Sequence, residues 1–170
     1  MKRALVVVDM QNDFIIGSLA NSQCAAVVDE VVAVLQGQSY DDVYVTLDTH
    51  GENYLDTQEG KKLPVRHCIK GTDGWMLHEQ VDKALPKEYT IFEKDGFGSM
   101  ELAQCVAGKY DRIDLVGVCT GICVVSNAIC IKAMDRDVEI CVYEKATACV
   151  SEESKVHALE TMKNCQIEII

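Results

Sequence analysis

A thiol, a carboxylate and an ammonium can act as nucleophile, proton carrier and counter-charge, and Cys123, Asp9 and Lys94 offer such a set. The thiolate is the attacking form of cysteine, so its pKa decides its use. Cys123 falls in the predicted first turn of a helix, where the positive end of the dipole and a nearby ammonium such as Lys94 would both favour the thiolate. Each residue also has an ordinary reading. One cysteine among nine is most often buried packing, and Asp9 with Lys94 could be a structural ion pair.

A second set suits a metal. Asp48-Thr49-His50 places two donors on the same side of an extended segment, because strand side chains alternate. Glu59 and His67 follow in a long polar stretch, completing two carboxylates and two imidazoles. That donor set suits a divalent transition metal, zinc first, with iron or manganese as alternatives. The ordinary reading of Glu59 and His67 is a solvated loop. His78 and His157 fall in helical segments, and His157 reads as solvated.

These residues are scattered along the sequence, so regular elements must gather them. The runs Ala4–Val8, Val43–Leu47, Tyr89–Phe92, Ile113–Val118, Val138–Tyr143 and Cys165–Ile170 predict strands. Segments of helical pattern lie between them, at about Ser22–Gln36, Gly74–Leu85, Ser99–Gly108, Gly121–Arg136 and Ser151–Asn164. Ser99 and Ser151 read as N-caps, Gly37 and Gly108 as helix stops. Alternating strands and helices imply an α/β fold: a three-layer, doubly wound sheet of about six mainly parallel strands with helices on both faces. No linker or repeat divides residues 1–170, which read as one domain. In such sheets ligands bind beyond the carboxyl ends of the strands. Asp9, Asp48 with His50, Lys94, and Cys119 with Cys123 all fall there. The polar connection from Asp48 to Asp73 is long enough to be functional.

Composition narrows the partners. With 48% hydrophobic and 25% charged residues the chain is of ordinary globular type. A net charge of -11 disfavours nucleic acid and anionic membranes. No apolar run approaches the ~20 residues of a membrane span. The apolar stretch Ala4–Val8 is too short for a leader and reads as the first strand. Nine cysteines without a C-x-x-C pair, several in apolar runs, fit a reducing, cytoplasmic setting.

Three spaced motifs resemble the isochorismatase-like cysteine hydrolases across essentially the whole chain. They are Asp9-Met10-Gln11-Asn12-Asp13-Phe14, Lys94, and Gly117-Val118-Cys119-Thr120-Gly121-Ile122-Cys123-Val124. The resemblance implies a catalytic triad of Cys123, Asp9 and Lys94. It also implies a cis peptide at Val118–Cys119 and an oxyanion hole made by the backbone amides of Cys119 and Cys123. The segment from Asp48 through Glu59 to His67 is similar to the metal loop of the nicotinamidase branch. That likeness implies Asp48, His50, Glu59 and His67 as metal ligands, Phe14 as a stacking partner for the ring, and nicotinamide as substrate. Isochorismatases proper lack the nucleophilic cysteine and the metal loop, so vinyl-ether hydrolysis is disfavoured. Homo-oligomers would be unsurprising for the family. Gly121 stands where many nicotinamidases carry an acidic residue, and Asp95-Gly96-Phe97-Gly98-Ser99 only loosely matches the branch. A different small amide, ureido or carbamoyl substrate is the alternative. A receiver would need its acceptor Asp after the third strand, where Glu93-Lys94 stands, and a flavin or dinucleotide binder needs a glycine-rich loop that the chain lacks.

Overall fold

A computed structural model describes residues 1–170. β1 (Arg3–Val8) leads through the short helices α1 (Asn12–Ile15) and α2 (Ser22–Ala26) to α3 (Val28–Gly37) and β2 (Asp42–Asp48). A 3₁₀ turn (Tyr54–Asp56), α4 (Gln58–Lys62) and α5 (Glu79–Ala84) precede β3 (Thr90–Lys94). Then come α6 (Met100–Val106), β4 (Arg112–Val118), a π-helical turn (Thr120–Val124), α7 (Val125–Met134), β5 (Glu139–Ala148), α8 (Glu152–Asn164) and β6 (Glu168–Ile169). No helix is long and apolar enough to cross a membrane.

The six strands form one sheet in the order β3-β2-β1-β4-β5-β6, with every pairing parallel. β1 shows why it is central. Ala4, Val6 and Val8 face a core that includes Leu102 of α6, Ile131 of α7 and Met162 of α8. Leu5 and Val7 face a second core with Val28 and Val31 of α3 and Val81 of α5. Both faces are dry, so the strand is a continuous run of apolar residues. Each fully buried Val or Leu contributes roughly 1.5–3 kcal/mol. Strand order reverses at β1, whose neighbours are β2 and β4, and the crevice at that switch point is where such sheets hold ligands.

Ser99 and Ser151 cap α6 and α8 through their side chains, as their positions predict. Gly108, at φ +68°, ends α6 just after its last turn. The predicted helix Ser22–Gln36 is instead two helices, broken at Val27. The predicted helix start at Gly121 is a π-helical turn in which the Val124 N–H reaches the Cys119 carbonyl at 3.0 Å. β5 runs on to Ala148 past a bulge, and β6 shrinks to two residues. The Val118–Cys119 peptide is cis.

The connection after β2 is stitched back onto the sheet. His50 N–H donates to the Cys68 carbonyl and Lys70 N–H to the His50 carbonyl, each at 2.9 Å. Asp13 reinforces this, its Oδ2 accepting from the Cys68 N–H at 2.7 Å. These bonds bring His67 beside His50.

Candidate active site

Asp9 ends β1 in the left-handed region, at φ +49°, which aspartate tolerates better than most residues. Its carboxylate is fully buried, with Oδ1 accepting from the Thr46 hydroxyl at 2.6 Å and Oδ2 2.6 Å from Lys94 Nζ. Lys94, at the end of β3, also reaches Cys123 Sγ at 3.4 Å, Asp48 Oδ1 at 3.4 Å and the Gly96 carbonyl at 3.1 Å. One buried ammonium thus touches the thiol and both carboxylates.

The ionisation states follow from this geometry. Burial would depress the Lys94 ammonium, but Asp9, Cys123 and Asp48 overcome it and push its pKa up, so it stays charged. Burial raises the Asp9 carboxyl, with Lys94 opposing and Asp48 reinforcing. Cys123 departs from the sequence-based expectation. Burial and the Asp9 charge hold its pKa well above the ordinary thiol value, and Lys94 only partly offsets them. The thiolate expected at a helix N-terminus is therefore a thiol at rest. A thiol this deeply buried loses more from desolvation than a dipole returns.

Asp48 joins this group to an imidazole pair. Its Oδ2 lies 3.0 Å from His50 Nε2 and 3.4 Å from His67 Nε2. Ligand atoms of Asp48, His50 and His67 all lie within 4.8 Å of one another, and all three residues are buried. Glu59, on α4, brings Oε1 to 3.7 Å from His50 Nε2 and 3.6 Å from His67 Nε2, outside that tight trio but facing both rings. His67 Nδ1 is 2.8 Å from the Val65 carbonyl, a contact that places the proton on Nδ1 and leaves the Nε2 lone pair toward the cluster. The buried Tyr54 ring packs within 4.7 Å of His50 and 4.9 Å of His67, centroid to centroid. Two imidazoles and a carboxylate around one point fit a divalent metal ion.

Cys119 and Cys123 line a cavity of about 500 Å³ together with Asp48, Glu59, His67 and Phe14. Phe14 stands 5.7 Å from the His67 ring, on the cavity wall. Asp9 and Lys94 join this cavity through the Lys94 contact with Cys123, and His50 through its packing on His67.

Other residues that shape the site carry no signal of their own. Gln11 is wholly buried and grips Asp48 at both backbone groups: Nε2 donates to the Asp48 carbonyl and Oε1 accepts its N–H, each at 2.8 Å. Asn127 donates to the Cys123 carbonyl at 2.8 Å and accepts the Ser99 N–H at 3.0 Å, tying the nucleophile's turn to the loop after β3. Gln11 stands inside a recognisable motif, but which backbone it grips is a tertiary fact.

The isochorismatase domain model matches residues 3–170. The chain belongs to the isochorismatase family. This family member is 31% identical over 184 residues to a nicotinamidase/pyrazinamidase of Mycobacterium tuberculosis, a match covering 99% of this chain and 98% of that one. Among solved structures, a pyrazinamidase of Pyrococcus horikoshii in complex with zinc superposes with a TM-score of 0.84 at 28% identity, covering 100% of this chain and 99% of that one. A nicotinamidase/pyrazinamidase of Bacillus subtilis gives a TM-score of 0.84 at 25% identity, covering 99% of each. The all-parallel sheet and the amidohydrolase names of these relatives agree with the reading of this isochorismatase-family chain as a hydrolase.

Proposed function

We propose that the chain is a metal-containing cysteine amidohydrolase that converts nicotinamide to nicotinate and ammonia through a thioester. The observation that carries the reading is the position of Lys94 Nζ, 2.6 Å from Asp9, 3.4 Å from Cys123 and 3.4 Å from the carboxylate that the imidazole pair shares. A nucleophile and a metal-binding cluster thereby share one cavity. Asp48, His50, His67 and Glu59 would hold the metal, zinc being the leading candidate, as in the pyrazinamidase of Pyrococcus horikoshii. When bound, it would supply an open coordination position for a ring nitrogen and so orient the substrate.

The remaining steps belong to side chains of the chain. Asp9 takes the proton from Cys123 and becomes a neutral carboxylic acid as sulfur attacks the carboxamide carbon, and Lys94 stabilises the negative charge that develops on sulfur during the transfer. The raised pKa of Asp9 suits it to receive that proton and return it to the departing ammonia. Backbone N–H groups of Cys119 and Cys123 would receive the oxyanion. Asp9 then activates the water that cleaves the thioester. Phe14 would stack on the ring. The reducing setting inferred from the free cysteines makes the cytoplasm the proposed location.

An ammonia-release assay of the purified protein against nicotinamide, pyrazinamide and N-carbamoyl or ureido compounds tests this. Turnover of nicotinamide is the expected result. Cleavage of a ureido substrate with none of nicotinamide would move the protein to another amidase activity.

A further inference from the structure

Asn127 of α7 is wholly buried, and its side-chain amide joins two segments that carry the site. It stands one helical turn beyond Cys123 and on the same face, so that its Nδ2 donates to the Cys123 carbonyl at 2.8 Å. The same Nδ2 donates to the Phe97 carbonyl at 3.3 Å, and Oδ1 accepts the Ser99 N–H at 3.0 Å. Ser126 offers a comparison. Its hydroxyl donates to the Ile122 carbonyl, four residues back, at 2.6 Å, and that bond stays within the turn.

The segment that Asn127 grips has little else to hold it. No bond between backbone groups ties Asp95 through Gly98 to the rest of the chain. Gly98 lies against α7, where a methyl group would stand 3.0 Å from Cys130 Sγ and 3.2 Å from the Ser126 carbonyl oxygen. Gly96 offers its carbonyl to the Lys94 ammonium at 3.1 Å, and that ammonium is 3.4 Å from Cys123 Sγ. Phe97, between them, lines the cavity. One amide thus holds the nucleophile's turn at one end and, at the other, the short loop on which the ammonium rests.

We propose that Asn127 is a positioning residue: through the loop at Gly96–Ser99 it sets the separation of the Cys123 thiol from the Lys94 ammonium. That this serves amide hydrolysis rests on the amidase reading, whereas the coupling of thiol to ammonium does not. A charge contact in a buried, poorly polarisable site weakens quickly as the groups part. Asp9 and Asp48 bind the same ammonium, so a displaced Gly96 carbonyl would leave it to those carboxylates and away from sulfur. A side chain bonded to the Cys123 carbonyl alone would fix the turn and leave the loop unheld. Asparagine does both because its planar amide carries an acceptor and two donor hydrogens. Asn127 touches none of the reacting atoms, so its part is geometric.

A double-mutant cycle read on the thiol tests this. Labelling of Cys123 by iodoacetamide at a fixed neutral pH, followed by peptide mapping, is measured in the wild type, Lys94→Met, Asn127→Leu and the double variant. Lys94→Met slows labelling in the wild-type background, and that factor should shrink about threefold or more in the Asn127→Leu background. A change in access to sulfur cancels in this comparison. Equal factors in the two backgrounds overturn the proposal. Ammonia release from nicotinamide is measured in parallel for Asn127→Leu and Asn127→Ser, below the thermal transition of each. Serine can donate to the Cys123 carbonyl, as Ser126 does to Ile122, but is too short to reach Phe97 or Ser99. Both variants should therefore lose ~10- to 100-fold in kcat. Full kcat in Asn127→Ser would show that the bond within the turn suffices, and would overturn the proposal. Where Lys94→Met fails to fold, this serine comparison decides. A wild type that releases no ammonia from nicotinamide, with a labelling factor that still shrinks, supports the positioning role and counts against the nicotinamidase reading alone.

Discussion

Lys94 is the residue on which both halves of the site depend, since its ammonium touches Asp9, Cys123 and Asp48 at once. If Cys123 is the nucleophile, Cys123→Ala abolishes ammonia release with the fold unchanged, while Cys119→Ala keeps much of it because its role is carried by backbone. Asp9→Asn removes the proton carrier and should cost ~100- to 10,000-fold in kcat. The raised pKa of Cys123 sets a further expectation with a definite sign. Only a small fraction of it is thiolate at neutral pH, and alkylation follows the thiolate. Labelling of Cys123 by iodoacetamide, read by peptide mapping, should therefore keep rising from pH 7 through 9 without levelling at the ordinary thiol value. Lys94→Met, which removes the cation that opposes burial, should slow labelling further at every pH. Equal rates in the two proteins would show that Lys94 does not hold the thiolate. The identities of Asp9, Lys94 and Cys123 were legible because strand ends can be located from apolar runs. The thiol's protonation was not, because it depends on how completely neighbouring elements enclose Sγ.

Elements fix the site through backbone grips that no local pattern reveals. Gln11 mimics a strand partner for Asp48, so Gln11→Leu, of similar size, would leave a buried N–H and C=O unpaired beside the proposed ligand. A loss of ~10- to 100-fold in metal affinity, measured by chelator competition, is the expected effect. Unchanged affinity would mean that Asp48 is held without it. Gly117 makes the equivalent demand in β4. Its φ is +120° and a Cβ there would stand 2.1 Å from the Val8 carbonyl oxygen, so Gly117→Ala must push β1 away from β4 just below Asp9. That variant should lose most of its folded fraction, visible as a collapsed thermal transition. Strand positions were readable from β-branched runs, since parallel strands buried on both faces need nothing else. The break at Val27 and the path from Asp48 to Asp73 were not. The path is set by long-range contacts, such as the Asp13 carboxylate on the Cys68 N–H, rather than by local propensity.

At the scale of the whole molecule, an acidic chain encloses one strongly buried cation and a cluster of metal-capable side chains in the same crevice. A net charge of -11 has no obvious role in recognising a neutral amide, so selectivity must come from the cavity itself. Two features could hold the substrate: the apolar wall near Phe14 and the Asp48, His50, His67 and Glu59 side chains. They predict different behaviour. If the wall alone binds the ring, benzamide and nicotinamide should be hydrolysed alike, and removing metal should change little. If a metal-held ring nitrogen sets the orientation, benzamide should be a poor substrate and chelation should raise KM for nicotinamide steeply, with restoration by zinc, iron or manganese identifying the ion that serves. Elemental analysis should find about one metal per chain, lost in His67→Ala, because Nε2 of His67 is aimed at the cluster by the bond from its Nδ1 to Val65. Equal turnover of the two amides, or purified protein free of transition metal yet fully active, would remove the metal-held ring nitrogen as the basis of substrate selection. The thiol, Asp9 and Lys94 would still stand as an amidase site, because none of their contacts depends on what the imidazoles hold.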